Sequence, residues 1–413
     1  MLKSKQHTLL YFCIFMEFLL SMQLWIGWYA RIIWFYAIFG IIMCGLIVTQ
    51  HIKLNVDKRN VITAITLIVA YTIYRGPFLL DFLGYSISAM VFILLNDEDR
   101  LKCWDFIYKW FAILMIPSII VYALYHTIGL PSLGRLQFSD NAYLPYDYVW
   151  RDNFLFYVPS VAGDWYRFNG PFNEPGHLGM MAAFMLFADG FDFKKKSTWL
   201  IVLALILTAS LAGFLLGVIG YVFVRARQKR INFKFVIFSS LFLVAIYLFA
   251  VNYNNGDNVV NELIVSRLEY DEDQGIVGNN RVAGIIDVYF VSQLTDFDLL
   301  LHGYDKSTID ALYEQGKTGT GLEMWIVQYG ILGVLQALLA YLVYSLLGKN
   351  RKKAILPFLF LFFVFMQRSY PYWFAWVICY IYGITKIEEE CQQKKKKNYA
   401  KKQHSLLTYH TTL

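Results

Sequence analysis

Residues 167–179, with the sequence RFNGPFNEPGHLG, lie where a long polar segment runs into an apolar helix. This stretch places a cation, a glycine-proline turn, a carboxylate and an imidazole at the mouth of a strongly hydrophobic run. Ionisable groups at membrane depth are costly, and they usually face a cavity or a substrate rather than lipid. The stretch therefore favours a membrane enzyme that handles an anionic substrate at the bilayer surface.

The composition is typical of a polytopic membrane protein. Of 413 residues, 58% are hydrophobic, 18% are aromatic and only 16% are charged, whereas a soluble domain carries about 25% charged residues. The first apolar run has the length of a span and lacks a small-residue cleavage site, so we expect no cleavable signal peptide. The five cysteines show no CxxC or Cys/His spacing, and we predict neither a disulfide, a metal site nor a cofactor.

The net charge of +7 comes from lysines and arginines between the apolar runs and in the tail, where they orient a membrane protein. It therefore does not indicate a nucleic-acid partner. A span needs about 20 apolar residues, and six apolar runs of roughly 15–23 residues before residue 191 are interpreted as spans: 8–27, 32–50, 61–79, 82–95, 106–128 and 173–190. Basic residues flank alternate ends of these runs, which predicts a multi-pass membrane protein with both termini in the cytoplasm.

Two later apolar runs are predicted to be hairpins. The run 199–224 lies between basic clusters at 194–196 and 225–230. If this run crossed the membrane once, one of the two clusters would lie on the outer side, against the positive-inside rule. The small-residue break TASLAG at 208–213 predicts two short helices with both ends cytoplasmic, and a single long helix that violates the charge rule is the alternative. The run 354–385 is interrupted by QRSYPYW at 367–373, which predicts a second hairpin.

With further spans at 235–251 and 321–347, we expect an all-α polytopic bundle of about twelve transmembrane segments. The predicted regions are an N-terminal transmembrane bundle (1–128), a first large extracytoplasmic loop (129–172), central transmembrane segments (173–251), a second large extracytoplasmic loop (252–320), C-terminal transmembrane segments (321–385) and a basic cytoplasmic tail (386–413) that is solvated or touches membrane lipid. Loops of this length are usually functional or disordered. An amphipathic helix is predicted near 281–294, with an apolar face of Val282, Ile285, Ile286, Tyr289 and Phe290.

Arg167 and Glu174 are the strongest candidates in the opening stretch. A guanidinium can hold phosphate oxygens in a planar two-point contact, although an ion pair of Arg167 with Asp164 or Glu174 is the structural alternative. Gly170 bends the chain, and Pro175 suits the first turn of the following helix. Glu174 then faces a helix amino terminus, where it acts either on a substrate or simply as a helix cap.

The second loop adds further candidates. Arg281 and Arg267 are isolated cations in a loop that holds twelve acidic residues, which suits an anion clamp, while local pairing with Asp287 or Glu269 is the alternative. His177 and His302 are candidate proton carriers, although a lone histidine is more often structural. Glu323 begins a span and is either a site residue or a wetted helix start.

Four segments together resemble the O-antigen polymerase and ligase superfamily of bacterial membrane glycosyltransferases. The stretch 167–179 is similar to the family signature. The segment 207–213 is similar to its Thr-x-Ser-Arg-Gly motif, with Leu211-Ala212 where an arginine is common. The Leu301–Tyr304 turn and the glycines of 321–333 are similar to the turn and span that follow. The resemblance covers roughly residues 160–345 in consistent order.

The resemblance implies a fold of the GT-C type and metal-independent, inverting transfer of glycan from an undecaprenyl-diphosphate carrier. It places the departing diphosphate against Arg167 and Arg281, and Arg267 begins an Arg-x10-Gly match that ends at Gly278. Glu174 is our choice for the base that activates the acceptor hydroxyl. Gly170, His177, His302 and Glu323 are predicted to contact substrate. A flippase and a chain-length regulator are the implied protein partners.

Ligases of this superfamily usually carry His-Asn where the returning span begins. This chain has Leu322-Glu323 there, which favours a polymerase, with a ligase as the alternative. A lipid-linked oligosaccharide flippase is the second alternative, but no repeat and no intramembrane charge pair is visible in the sequence. A polyprenyl-monophosphate transferase would place carboxylates in its first outer loop, and residues 21–30 have none. A non-catalytic scaffold would not need the arginine and glutamate cluster.

Overall fold

The structure is a computed structural model that describes residues 7–29, 32–75, 85–138, 149–159, 166–228, 241, 244–245, 247–258, 261–266, 270–271, 275–276, 284–314, 321–368 and 370–411. Within them the chain is mostly helical. The helices are α1 (Thr8–Ser21), α2 (Ile26–Tyr29), α3 (Ile32–Thr49), α4 (Lys58–Arg75), α5 (Ile87–Leu94), α6 (Asp97–Ile128), α7 (Pro175–Ala188), α8 (Lys196–Leu207), α9 (Leu211–Arg227), α10 (Gly284–Thr295), α11 (Phe297–His302), α12 (Lys306–Glu314), α13 (Leu322–Leu346), α14 (Arg351–Gln367) and α15 (Phe374–Thr411).

Two of these helices, α6 and α13, are long and apolar enough to cross a membrane by length and composition. They agree with the membrane association expected from the sequence. The predicted span 8–27 divides into α1 and α2, and only α5 is described in the span predicted at 82–95. The span predicted at 235–251 lies largely outside the described residues.

Helix α7 lies at the centre of the bundle. All of its residues are buried, as expected of a helix that is hydrophobic around its whole circumference. It packs against α8, α9 and α15. Its first residue follows Glu174 and its last precedes Asp189. We use these two residues to name the ends of the bundle, the Glu174 end and the Asp189 end.

The hairpin predicted over 199–224 is confirmed as two helices that meet at residues 208–210. Ala209 has a positive φ of 47°, which breaks the helix, and Ser210 then caps α9 by accepting a hydrogen bond from the Gly213 N–H at 3.2 Å. At the other end of the hairpin, the Lys195 ammonium lies 2.9 Å from Asp189, and Arg227 lies beside Gly190. Both ends of the hairpin therefore lie at the Asp189 end.

Helices α14 and α15 form the second predicted hairpin, with its turn at 368–373. Helix α15 continues past the bundle core and carries charged residues that meet other helices at the Asp189 end. Lys386 lies 3.0 Å from Asp189, Glu388 lies 2.8 Å from Arg59 of α4, and Glu390 lies 3.6 Å from Arg227 of α9. These ion pairs fix the helix ends relative to one another.

The first predicted loop is not wholly irregular, and the fold is not strictly all-α. Strands β1 (Arg135–Phe138) and β2 (Val149–Asp152) form an antiparallel pair in the register Arg135 to Asp152. A second pair, β3 (Tyr270–Asp271) and β4 (Gly275–Ile276), lies in the second loop. Both pairs are short, so the helical architecture is retained.

In the second loop, helices α10 and α12 share a small core with α13. Ile286, Ile309 and Leu312 pack there against Met324 and Val327 of α13. Ile285, Tyr289 and Phe290 also contact this core, which confirms the predicted apolar face of α10 except at Val282, which is outside the described residues. Asp305 precedes α12, and its hydrogen bonds from the Ser307 hydroxyl and from Thr308 lower the pKa of its carboxyl to about 2.

Candidate functional site

Glu174 occupies the cap position of α7 without acting as a cap. Its backbone is extended (φ −136°, ψ 138°), Pro175 takes the first helical position, and no capping hydrogen bond comes from the Glu174 side chain. The capping alternative for this carboxylate is therefore wrong. Its oxygens are directed to other side chains instead.

One carboxylate oxygen of Glu174 receives both a guanidinium and an imidazole. Nη2 of Arg368 lies 2.5 Å from Oε2 of Glu174, and Nε2 of His177 lies 2.9 Å from the same oxygen. The Arg368 and His177 side chains are only 7% and 3% exposed, whereas the Glu174 side chain is 28% exposed. The carboxylate is thus held by two buried side chains, and part of it remains accessible to solvent. The short distances to a guanidinium and an imidazole favour this position of the carboxylate through electrostatic attraction.

Arg368 was not a candidate in the sequence, where it belonged only to the interruption of the run 354–385. It follows α14 directly, in an extended conformation (φ −147°, ψ 113°). A Cβ at position 176 would lie 3.1 Å from its Nη2 atom, so Gly176 leaves room for the guanidinium beside α7. An arginine within an apolar run is itself a signal for a functional site, and this signal was available.

The backbone that precedes Glu174 is held by buried polar side chains. The Asn173 carbonyl accepts hydrogen bonds from Nη1 of Arg151 at 2.6 Å and from the Asn169 amide at 3.4 Å. The Asn173 amide donates to Oε1 of Gln23 at 2.8 Å. Strand β2, the 169–173 turn and the segment after α1 therefore meet at the residue before the carboxylate. Gly170 serves this turn through its backbone, since its φ is 57°.

Arg167 lies at the break of the first hairpin. Its Nε donates to the Thr208 carbonyl at 3.2 Å, and the Phe168 N–H donates to the Leu207 carbonyl at 3.0 Å. Its side chain is half-buried. The segments 167–179 and 207–213 are thereby joined in space, although they are separate in sequence. Asp164, one proposed partner of Arg167, is outside the described residues.

Aromatic rings border His177. The Trp373 ring meets the His177 ring edge-on, with centroids 4.7 Å apart, and Tyr370 stacks on Trp373 with centroids 4.8 Å apart. Edge-to-face and stacked contacts of this kind stabilise an aromatic cluster. They also fix the orientation of the imidazole beside Glu174.

The remaining candidates are not brought to this group by the contacts described. Arg281 and Arg267 lie outside the described residues. His302 is largely exposed, with Nδ1 3.1 Å from Asp298 one helical turn away, which agrees with its structural alternative. Glu323 begins α13 beside Asp287 of α10, so it belongs to the docking of the second loop.

Glu174, His177 and Arg368 therefore form the candidate site, with Arg167 at the neighbouring hairpin break. Within the described ranges, no group of three or more His, Cys, Asp or Glu side chains is arranged to hold a metal ion. Comparisons with protein-family models, with curated proteins and with solved structures find no match to this chain.

Proposed function

We propose that this protein is a glycosyltransferase of the bacterial cytoplasmic membrane that polymerises undecaprenyl-diphosphate-linked oligosaccharide units into a surface polysaccharide. The proposal rests on the resemblance of residues 160–345 to the O-antigen polymerase and ligase superfamily. The observation that carries it is the Glu174 carboxylate, which is partly exposed and is held by Arg368 and His177 rather than by the helix end.

In the proposed reaction, an acceptor hydroxyl oxygen attacks the anomeric carbon of the donor sugar. The bond from that carbon to the diphosphate oxygen breaks, and configuration at the carbon inverts. The hydroxyl proton passes to Glu174, which must lie within hydrogen-bond reach of the attacking oxygen. The diphosphate leaves with the bonding electron pair and remains on the lipid.

Guanidinium groups are proposed to stabilise the negative charge that develops on the departing diphosphate, a contribution that is often the largest in such catalysis. Arg167, at the hairpin break, and Arg281, from the resemblance, have this role. Arg368 is proposed to hold Glu174 in place and to balance its charge. Its fork-shaped donor set suits a carboxylate better than an ammonium does.

The proposal is tested with purified full-length protein and one lipid-linked repeat unit, whose products are separated by size. Wild-type protein should produce a ladder of extended chains. Glu174→Gln should abolish the ladder, because the amide cannot accept the proton, and Arg167→Ala or Arg281→Ala should do the same. A ladder of wild-type length from Glu174→Gln would disprove the role of Glu174 as the base, since the reaction would then proceed without its carboxylate.

A flippase is a second candidate, because turns at 208–210 and 368–373 interrupt two apolar runs and interrupted helices are typical of transporters. The same protein, reconstituted into proteoliposomes with the lipid-linked unit, distinguishes the two functions. Transfer of the lipid-linked unit across the bilayer without a ladder would indicate a flippase. A single transfer to an added acceptor, without extension, would indicate a ligase.

A further inference from the structure

The turn between α14 and α15 carries two stacked aromatic rings next to the candidate site, which we call the 370/373 ledge (Tyr370 and Trp373). Their rings are nearly parallel, with an interplanar angle of 12° and centroids 4.8 Å apart. Trp376 continues the stack at 5.6 Å and is fully buried. Both residues of the ledge are only half-buried. The stack therefore extends from the core to an accessible rim.

The ledge touches the charged group directly. The His177 ring lies edge-on to Trp373 at 4.7 Å and to Tyr370 at 6.1 Å, and Nε2 of the same ring is 2.9 Å from the Glu174 carboxylate. Arg368 precedes the ledge in sequence and binds the same carboxylate oxygen. Flat apolar faces and hydrogen-bonding groups thus occur side by side.

This combination matches the two surfaces of a sugar ring. A pyranose presents a face of C–H groups, which carry partial positive charge and are attracted to the negative face of an aromatic ring. It presents hydroxyl groups around its rim, which hydrogen-bond to carboxylate and imidazole. Binding sites for small molecules commonly combine an aromatic lining with a few placed polar groups.

Arg368 balances the charge of Glu174, so charge alone does not select the ligand beside the ledge. The accessible side of the carboxylate can accept a hydrogen bond from a neutral hydroxyl, and the flat ring faces suit the C–H face of a sugar rather than a phosphate group. The ligand beside the ledge is therefore expected to be the neutral glycan rather than the lipid diphosphate. A sugar stacked there has a hydroxyl next to the carboxylate.

We propose that the 370/373 ledge is an acceptor-sugar subsite, on which a pyranose ring of the growing glycan stacks so that its hydroxyl faces Glu174. This inference rests on the proposed function, since it assigns the acceptor of that reaction. The competing explanation is that the rings anchor the protein at a membrane interface, where tryptophan and tyrosine are enriched.

The test measures glycan binding rather than catalysis. The probe is the free repeat-unit oligosaccharide, released by mild acid from the lipid-linked intermediate of the producing cells. It is titrated onto full-length Glu174→Gln protein in nanodiscs and followed by ligand-observed NMR. In that background, Tyr370→Leu should weaken binding by about fivefold to tenfold, the expected worth of one stacked ring. Trp373→Leu removes the ring that supports Tyr370 and should weaken binding in the same direction. Tyr370→Phe and Trp373→Phe, which keep a flat face, should bind within about twofold of the parent.

Trp150→Leu is the matched control, because Trp150 is 58% exposed on β2 and has the character of an interface anchor. Its binding should be unchanged. Parent-like binding by folded Tyr370→Leu would overturn the proposal, and so would an equal loss in Trp150→Leu. Should Trp373→Leu fail to fold, the comparison of Tyr370→Leu with Tyr370→Phe decides alone.

The proposed function and the subsite fail separately. If wild-type protein forms no ladder but glycan binding still depends on the ledge, the subsite stands and the polymerase assignment falls. If a ladder forms while the leucine variants bind as the parent does, the subsite falls and the polymerase assignment is unaffected.

Discussion

Glu174 and Arg368 show how one buried contact can define a site whose parts are far apart in the chain. Removing a buried guanidinium from water is costly, and the attraction to a carboxylate offsets that cost only with good geometry. Here the separation is 2.5 Å, and His177 adds a second contact to the same oxygen. The Arg368–Glu174 pair is therefore expected to fix the position of the Glu174 carboxylate more than to increase the free energy of unfolding.

A double-mutant cycle on Glu174→Gln and Arg368→Gln measures this contact. Each single change leaves one charged group without its partner, so each should lower the free energy of unfolding. The double variant should lose less than the sum, with a coupling of about 1–2 kcal/mol, reduced from a fully buried value because Glu174 is partly exposed. Denaturant unfolding of purified protein in detergent provides the four values. Additive effects would mean that the two groups do not interact in solution.

The sequence predicts two of the three residues of this group. Glu174 and His177 were identifiable because they adjoin a proline at the start of an apolar run. Arg368 was not identified, because its neighbour Ser369 and the aromatic residues made the interruption resemble a plain hairpin turn. Its pairing with Glu174 depends on how α14 packs beside α7, which no local pattern specifies.

At the element scale, the segments 167–179 and 207–213 contact one another through glycines. A Cβ on Gly179 would lie 2.8 Å from the Ser210 Cβ, and one on Gly213 would lie 2.9 Å from the Gly179 carbonyl carbon. Helix α7 and the first hairpin can approach this closely because neither position carries a side chain. The spacing of these glycines is thus explained by helix packing rather than by chemistry.

Gly213→Ala should therefore separate α7 from α9 and displace the hairpin break that holds Arg167. Overpacking a tight contact costs about 1–3 kcal/mol, so the midpoint of thermal unfolding should fall clearly. Gly45→Ala is the matched control, since nothing lies within 4 Å of a Cβ at that position in α3. The control should unfold no earlier than wild type, because alanine favours a helix by about 1 kcal/mol over glycine. Equal midpoints for the two variants would argue against the close approach.

Helix α13 has a kink at Gly330 that forms the docking point of the second loop. Gly330 has φ 65° and ψ 179°, a conformation essentially restricted to glycine. A Cβ there would lie 2.1 Å from the Leu301 carbonyl oxygen, and one on Gly303 would lie 2.7 Å from the Gln328 carbonyl carbon. The Tyr304 N–H donates to the Val327 carbonyl at 2.9 Å. The turn 301–304 and the kink thus interlock.

Gly330→Ala combines backbone strain with a direct overlap, and it should destabilise the docked loop by about 3 kcal/mol or more. The expected result is rapid proteolysis within residues 252–320 under conditions that leave wild type intact. Gly45→Ala again serves as the control and should be cleaved at the wild-type rate. Unchanged protease resistance in Gly330→Ala would show that docking of the second loop does not depend on the kink at Gly330.

Elements were predictable where local chemistry specifies them. The hairpin at 208–210 was visible from its small residues and the flanking charges, and the face of α10 from its 3.6-residue period. The kink in α13 was not, because an uninterrupted apolar run indicates one straight helix. The β1–β2 pair also escaped prediction, since strands of four residues in a loop leave little alternation to detect.

For the whole molecule, ion pairs at the Asp189 end connect the ends of α4, α7, α8 and α9 with α15. The buried Asp189 forms ion pairs with Lys195 and Lys386. Arg59 and Arg227 form ion pairs with Glu388 and Glu390 of α15, respectively. Helix α6 starts at this end, where the Trp104 indole N–H donates to Asp189 at 3.3 Å. Its length then carries residues 129–138 to the Glu174 end.

This arrangement predicts that Lys194→Cys and Ala226→Cys are labelled from one side of the membrane and Ser132→Cys from the other. All three positions are exposed, and a Cys44→Ser background removes the one exposed native thiol, since the other four cysteines are buried. Intact cells are treated with a membrane-impermeant maleimide before and after permeabilisation. Ser132→Cys should react first, and the other two only after permeabilisation, as the basic clusters beside them require. Labelling of Lys194→Cys and Ala226→Cys from opposite sides would restore the single long helix and remove the hairpin break on which the position of Arg167 depends.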